Sequence, residues 1–475
     1  MSELYAHTVC LSPMVRSGTL PLRLLSLRYG ADLVYGEEII DKRIISTVRV
    51  PNAVVHSVDF VSRNGDAVVF RTCREEADKV IFQIGTADAV LALKAAETVA
   101  RDVAAVDINM GCPKHFSIQG GMGAALLQKP EVACDIVRTL RRNLNIPISC
   151  KIRLLPDTRD TIDTAKRLED AGACAIGVHM RQVHERPRDK ASWEKLAPVV
   201  SALSVPILAN GDVFKHEDIH DLCEISGASS VLIARGALAN ASIFRKKGLL
   251  SVDQVVRDYL RAAAEVDNVF QNTKYNVMRM IPSFSEDASA SGTQCGQSTG
   301  TRVVTVPELA ATKNGMEMYS LWNLQNTYKE HQDRFRAMAS VLDSNATCQG
   351  QASEVVRSLP GAPERYAEAL QPEDSELSSH RNRFPGKPEL YCDACKIQLL
   401  SAQDVKLHCK GRKHKNTLRR QTATTISRLV AKAHLEQQVA AADIPDDVGV
   451  GSVASGDTVL DQGDQENRSL KRARR

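Results

Sequence analysis

The feature that most constrains this chain is a series of eight short apolar runs in its first half, each ending in polar or glycine residues. They are "HTVCLSPM" near Val9, "ADLVYGEE" near Leu33, "VIFQIGT" near Phe82, "AAVDINMG" near Ile108, "PISCKIRL" near Cys150, "CAIGVHMR" near Ile176, "PILANGDV" near Leu208 and "SSVLIARG" near Leu232. The intervals are too long for hairpins, and most hold a helical pattern, as at 87–102, 131–144, 160–173 and 216–228. Apolar strands without polar alternation, each followed by an amphipathic helix, are what a parallel sheet covered by helices requires. Eight such units predict an α/β fold, a (β/α)8 TIM barrel over residues 1–245. Periodicity alone leaves a doubly wound sheet open. The longer gap after the second run contains "HSVDFVS" and "AVVFRTC", an expected β-rich excursion beside the barrel mouth.

In such a barrel the residues at the C-terminal ends of the strands face the active-site mouth, and mid-strand residues fill the core. By that rule Met14, Glu37, Gln83, Asn109, Lys151, His179, Asn210 and Arg235 are expected to converge on one rim. A lone lysine in an apolar strand, as in "SCKIRL", is costly to bury without a partner, and an anionic ligand is the natural one. "ANGDV" and "ARGAL" follow the seventh and eighth strands, where barrel loops commonly bind phosphate through backbone N–H groups. Neither GxGxxG nor GxxxxGK[ST] occurs at a strand-to-helix junction, so the predicted ligand is a phosphate-bearing cofactor outside those two motifs.

At 43% hydrophobic content, 475 residues can form this core and at least one further domain. The net charge of +4 places any nucleic-acid affinity in local patches. The twelve cysteines are mostly scattered singly, and no apolar segment near Met1 resembles a secretion signal, which favours a reducing, cytoplasmic setting. No run approaches the roughly 18 apolar residues of a membrane span, so no membrane association is expected. The chain is expected to act as a monomer, with no protein partner legible.

The stretch 9–244 resembles the flavin-dependent tRNA-dihydrouridine synthases: "LSPMVRSGTLPLRLL", "FQIGTAD", "VDINMGCPKHFSIQGGMGAALL", "CKIRL", "VHMRQVHERP", "ANGDV" and "IARGAL" occur in the family's order. "YGEEIID" and "DNVFQNTKY" are most similar to the eukaryotic branch acting on position 20 of the tRNA D-loop. The resemblance implies FMN, reduced by NADPH, passing hydride to C6 of a uridine while an acid protonates C5. It places Cys112 as that acid, on a loop whose glycines 111, 120, 121 and 123 let it close over a base. An unperturbed thiol, with pKa about 8.5, is protonated at neutral pH as the role requires.

Carried over in the same way, Pro13, Met14, Val15, Gln83 and Lys151 lie along the flavin. His179, Asn210, Gly211, Asp212, Ala234 and Arg235 surround its polar tail and phosphate, and Asn109, Lys114 and Arg181 touch the target nucleotide. The uridine must be extruded from folded RNA to enter. One departure is Met180, where the branch tends to have glycine and where a side chain is expected to crowd the cofactor or substrate edge.

Residues 246–345 read as a helical tRNA-binding domain with a low-complexity insert at 283–303, followed by a linker at 346–388. Next comes "YCDACKIQLLSAQDVKLHCKGRKHKN", in which Cys392, Cys395, His408 and His414 form C-x2-C-x12-H-x5-H, a C2H2 zinc finger at 389–420. Ser401 and Asp404 mark the helix start between the ligand pairs. The wide histidine spacing resembles fingers that bind double-stranded RNA, and Lys406, Lys410, Arg412, Lys413, Lys415, Arg419 and Arg420 make its end basic. Animal members of the branch carry a double-stranded-RNA-binding domain here; no such pattern is present, and the finger is expected to serve the same end. Residues 421–475 read as a helical start and a disordered tail, whose Lys471 to Arg475 fit a nuclear-import cluster or plain solvated charge.

Two other classes compete. A free-pyrimidine or dihydroorotate-type flavin oxidoreductase has no need of a finger. A non-catalytic RNA-binding scaffold has no reason to keep Cys112, Lys151 and the phosphate loops together.

Overall fold

The structure is a computed structural model, and it describes residues 2–63, 67–282, 303–347, 391–392, 397–398, 402–411 and 414–415. Almost all of the expected insert and linker, Cys395, Ser401, Arg412, Lys413, Arg419, Arg420 and the tail lie outside them.

The strands in chain order are β1 (Val9–Leu11), β2 (Leu33–Tyr35), β3 (Ile39–Ile40), β4 (Thr47–Asn52), β5 (Ser57–Ser62) and β6 (Val68–Cys73). β7 (Val80–Gly85), β8 (Ala105–Asn109), β9 (Ile148–Leu154), β10 (Ala175–Gln182), β11 (Ile207–Asn210) and β12 (Ser230–Ile233) follow. Eight of them pair in the order β2-β1-β12-β11-β10-β9-β8-β7, and β2 pairs with β7, closing the ring. All of these pairings are parallel. These are the eight apolar runs, so the closed barrel holds and the doubly wound alternative does not.

The predicted helices form with caps legible in the sequence. Ala89–Val99 starts at Asp88, whose carboxylate accepts the Leu91 N–H at 2.8 Å, and Thr158–Asp170 starts at Asp157, which accepts that of Arg159 at 2.8 Å. Glu217–Ser226 ends at Gly227 with φ 72°, the left-handed stop that glycine adopts without a Cβ penalty.

Tyr5 closes the barrel floor. It packs with Cys10, Leu33, Tyr35, Ile81, Ala105, Leu208 and Leu232, and its hydroxyl donates to Ser149 Oγ at 3.1 Å. Ser149 donates in turn to Asp107 Oδ1 at 2.7 Å.

The excursion is a three-stranded antiparallel sheet, β4-β5-β6. Sequence reading finds β5 and β6 but not β4, whose mostly exposed residues and Pro51 disguise an edge strand. Fully buried Arg23 ties the helix Leu20–Arg28 to this sheet, donating to the Arg71 carbonyl of β6 and pairing with Glu76 in the turn after it, each at 2.6 Å.

The helical region packs on the barrel in one compact unit. Tyr29 donates to Asp258 at 2.7 Å, and Asn272 donates to the Arg16 carbonyl at 2.7 Å. Within this region Gly315–Ser320 and Gln325–Thr347 are separate helices, parted at Asn323 with φ 55°. The finger residues belong to a separate unit. No helix among the described residues is long and apolar enough to cross a membrane.

Candidate active site

A cavity of about 370 Å³ opens at the C-terminal ends of the barrel strands. Every barrel residue singled out for cofactor, substrate or catalysis lines it: Pro13, Met14, Val15, Gln83, Asn109, Cys112, Lys114, Lys151, His179, Arg181, Asn210, Gly211, Asp212, Ala234 and Arg235. Glu37 does not. It turns into an adjoining cleft of about 670 Å³, where its carboxylate accepts the Arg16 N–H at 2.7 Å, and Glu38 takes the place in the wall.

Met180 is also corrected. Alternation along β10 sends His179 and Arg181 to the cavity and Met180, fully buried, into the apolar core, so it crowds neither cofactor nor substrate.

The β8 end is built around amides. Asn109 Oδ1 accepts the backbone N–H groups of Gly111 and Cys112 at 2.9 and 3.0 Å. Its NH2 reaches Gln83 Oε1 at 3.5 Å, and Gln83 Nε2 donates to Asp107 Oδ2 at 2.8 Å. Asp107 is a residue that sequence reading passed over as a strand interior. Burial raises its carboxyl to about 6, against the opposing pull of Gln83, Ser149 and Lys151.

The Cys112 loop is pinned as well. Ala124 N–H donates to the Cys112 carbonyl at 3.1 Å, and a Cβ on Gly123 (φ 59°) would meet that oxygen at 2.7 Å. At position 123 the glycine serves close packing. The Cys112 thiol is half-buried, and burial and then Glu38 raise its pKa above the ordinary thiol value.

The same lining carries a cluster of cations. Burial, and then Arg153, lower Lys151 to about 8, and its ammonium makes no hydrogen bond or ion pair among the described residues. Burial and then the charges of Lys151, Arg153, Arg181 and Arg235 hold the His179 imidazole down at about 2. Arg181 Nη1 lies 3.3 Å from His179 Nε2, and because a guanidinium only donates, Nε2 accepts and Nδ1 carries the proton.

The loop after β11 is fixed by its neighbours. Trp193 Nε1 donates to the Gly211 carbonyl at 3.0 Å, Ala191 N–H donates to Asp212 at 2.8 Å, and Asp212 holds a left-handed φ of 56°. A Cβ on Gly236 would lie 2.2 Å from the Val213 carbonyl, so this loop and the helix after β12 meet backbone to backbone. The cavity lining thus combines amides, a thiol and an excess of cations over carboxylates. That donor set fits a flat, polar-edged ring carrying a phosphate.

In the finger unit, Cys392 Sγ, His408 and His414 ring nitrogens all lie within 4.8 Å of one another. His414 Nδ1 is 3.4 Å from Cys392 Sγ and 3.1 Å from His408 Nε2. Cys392 follows in β13 (Tyr391–Cys392), paired antiparallel with β14 (Ile397–Gln398), and His408 sits on the helix Ala402–Lys410.

Among curated proteins, the chain is 46% identical over 281 residues to a tRNA-dihydrouridine(20) synthase [NAD(P)+] of Schizosaccharomyces pombe, covering 57% of this chain and 59% of that one. It is 38% identical over 303 residues to a tRNA-dihydrouridine(20) synthase [NAD(P)+] of Saccharomyces cerevisiae, covering 58% and 78%. A human tRNA-dihydrouridine(20a/20b) synthase [NAD(P)+]-like protein is 30% identical over 239 residues, covering 50% and 70%. Residues 10–286, the barrel and the first two helices beyond it, match the family described as dihydrouridine synthase (Dus), and the chain belongs to that family.

Proposed function

We propose that this protein is a tRNA-dihydrouridine synthase, reducing a D-loop uridine at position 20 to 5,6-dihydrouridine with FMN and NADPH. The observation that carries the reading is the meeting in one cavity of a half-buried thiol, Cys112, with the cations Lys151, Arg181 and Arg235, alongside the neutral imidazole of His179.

Bound FMN, reduced by NADPH, supplies the hydride that C6 receives. Lys151 and Gln83 would hold its pyrimidine edge, where the Lys151 charge would offset negative charge on the ring. Pro13, Met14 and Val15 lie along it through backbone contacts. The loops of Asn210, Gly211 and Asp212 and of Ala234 and Arg235 take its tail and phosphate. Arg181 is only 3% exposed and committed to Asp212, which favours a share in that anion site over direct contact with the nucleotide. Asn109 and Lys114 orient the extruded base, and Cys112 gives its proton to C5. With hydride at C6 and proton at C5, the C5=C6 double bond is reduced by two electrons and the thiolate regains a proton from solvent.

We assign zinc to Cys392, Cys395, His408 and His414, on the clustering of the three described ligands and the spacing of the fourth. Lys406, Lys410 and Lys415 are exposed on the finger and suit phosphate contacts along A-form RNA. Purified protein with tRNA and NADPH, followed by mass spectrometry of the nucleosides, tests the reading. Dihydrouridine from tRNA but not from free uridine supports it, and reduction of free pyrimidines alone would replace it with the small-molecule class.

A further inference from the structure

Three groups in the cavity wall hold hydrogen-bonding capacity that the protein leaves unused. Glu38 Oε1 is buried and has no hydrogen-bond partner, while the carboxyl touches the Cys112 and Asn109 side chains and faces Lys114. Asn109 spends its carbonyl on two backbone N–H groups, which leaves its NH2, beside the Glu38 carboxyl and with a long 3.5 Å contact to Gln83, as the end turned toward a ligand. The Lys114 ammonium stands at the mouth with no hydrogen bond or ion pair among the described residues.

A buried carboxylate oxygen without a donor is unfavourable, so a ligand that brings the donor is favoured there. This position is also built: a Cβ on Gly85 would come within 2.7 Å of Glu38 Oε1, so the glycine makes room for the carboxylate. The wall therefore presents an acceptor flanked by two donors. The pairing edge of uracil is the complement, with O2 accepting, N3–H donating and O4 accepting. Cytosine offers a lone pair at N3 and an amine at C4, and meets this wall with an acceptor against an acceptor.

We propose that Glu38 accepts the N3–H of the pyrimidine drawn into the cavity while Asn109 and Lys114 donate to its carbonyls, which makes Glu38 the residue that selects uracil. The inference rests on the reading of this cavity as a uridine reductase. Contact at the ring edge leaves both ring faces free, one for the hydride source and one for Cys112. A site built to hydrogen-bond a substrate N–H rejects the analogue lacking it strongly, because its own buried polar group is then left unpaired.

The test uses full-length holoenzyme and tRNA carrying either uridine or N3-methyluridine at the modified position. Wild type is expected to reduce the methylated base at least about 10²-fold more slowly in kcat/KM. Glu38→Ala is expected to lose most of that preference through slower reduction of uridine, while FMN content and NADPH-driven flavin reduction stay at wild-type levels. Should Glu38→Ala bind FMN poorly, Glu38→Gln, which keeps the side-chain shape and an accepting oxygen, is expected to keep the preference. Equal rates on the two substrates by an otherwise active wild type, or an undiminished preference in Glu38→Ala, would overturn the inference alone. A wild type inactive on unmodified tRNA would overturn the functional reading beneath it.

Discussion

Arg181 Nη2 lies 2.6 and 2.5 Å from the two carboxylate oxygens of Asp212, and Oδ1 of the same carboxylate accepts Arg235 Nη2 at 2.6 Å. One carboxylate thus serves two guanidiniums, so the corner keeps a net positive charge after its internal pairing is complete. An arriving anion is matched without breaking either bond.

Removing that carboxylate is expected to destabilise the protein. Asp212→Ala leaves the buried Arg181 guanidinium uncompensated, at a cost of about 3 kcal/mol. Arg235, nearly half exposed, adds little. Thermal denaturation with and without FMN checks this: the variant is expected to melt lower and to gain more from FMN than wild type, because the ligand phosphate replaces the missing charge.

Lys151 carries the opposite trade. Its folded pKa, about 8, is depressed below the ordinary lysine value. The contribution of this group to stability is therefore present above the unfolded pKa of about 10.5 and is lost as pH falls through 8. Lys151→Met is expected to stabilise the flavin-free protein at pH 7 by up to about 3 kcal/mol while weakening FMN affinity. Calorimetric melts and flavin fluorescence titrations measure the two effects separately.

Cys112→Ala is expected to keep FMN binding and to cut dihydrouridine formation by about 10² to 10⁴-fold, read by mass spectrometry of the reacted tRNA. The pH profile gives a second check. Burial and Glu38 raise the folded-state thiol, so the proton is held through neutral pH and lost only as pH rises through that raised value. Reoxidation of reduced enzyme by tRNA is expected to fall on the alkaline side, above the ordinary thiol range.

Deletion of 389–420 is expected to weaken tRNA binding and flatten its dependence on salt, because the proposed phosphate contacts of exposed Lys406, Lys410 and Lys415 would release counterions from RNA. NADPH oxidation by the free flavoenzyme should not change. Filter binding across a salt series measures this, and His408→Ala, with zinc content determined alongside, is expected to reproduce the loss.

Much of the barrel is legible because parallel strands buried on both faces are apolar throughout, and the polar residue ending each one stands out. β4 is hidden because an edge strand with Pro51 has little apolar signal. Counting along a strand fails once the strand has ended: β2 stops at Tyr35, and two residues later alternation no longer says which of Glu37 and Glu38 faces inward. Asp107 is invisible for another reason. Its partners Gln83 and Ser149 come from two neighbouring strands, a conjunction that no local pattern encodes. Met180 is resolved by a property the sequence does contain, the two-residue alternation that gives His179 and Arg181 to one side of β10.

The aromatic ring that stoppers the base of the barrel has a reach well beyond its own pocket. From the Tyr5 hydroxyl a hydrogen-bonded chain runs through Ser149 to Asp107, whose other carboxylate oxygen accepts the Gln83 amide N–H. Tyr5→Phe cuts this chain at its root and frees Ser149 to swing, so a lesion remote from the cavity is expected to loosen the aim of Gln83, the group proposed for the flavin edge. The stopper is thereby a tuning peg for the mouth as well as a seal.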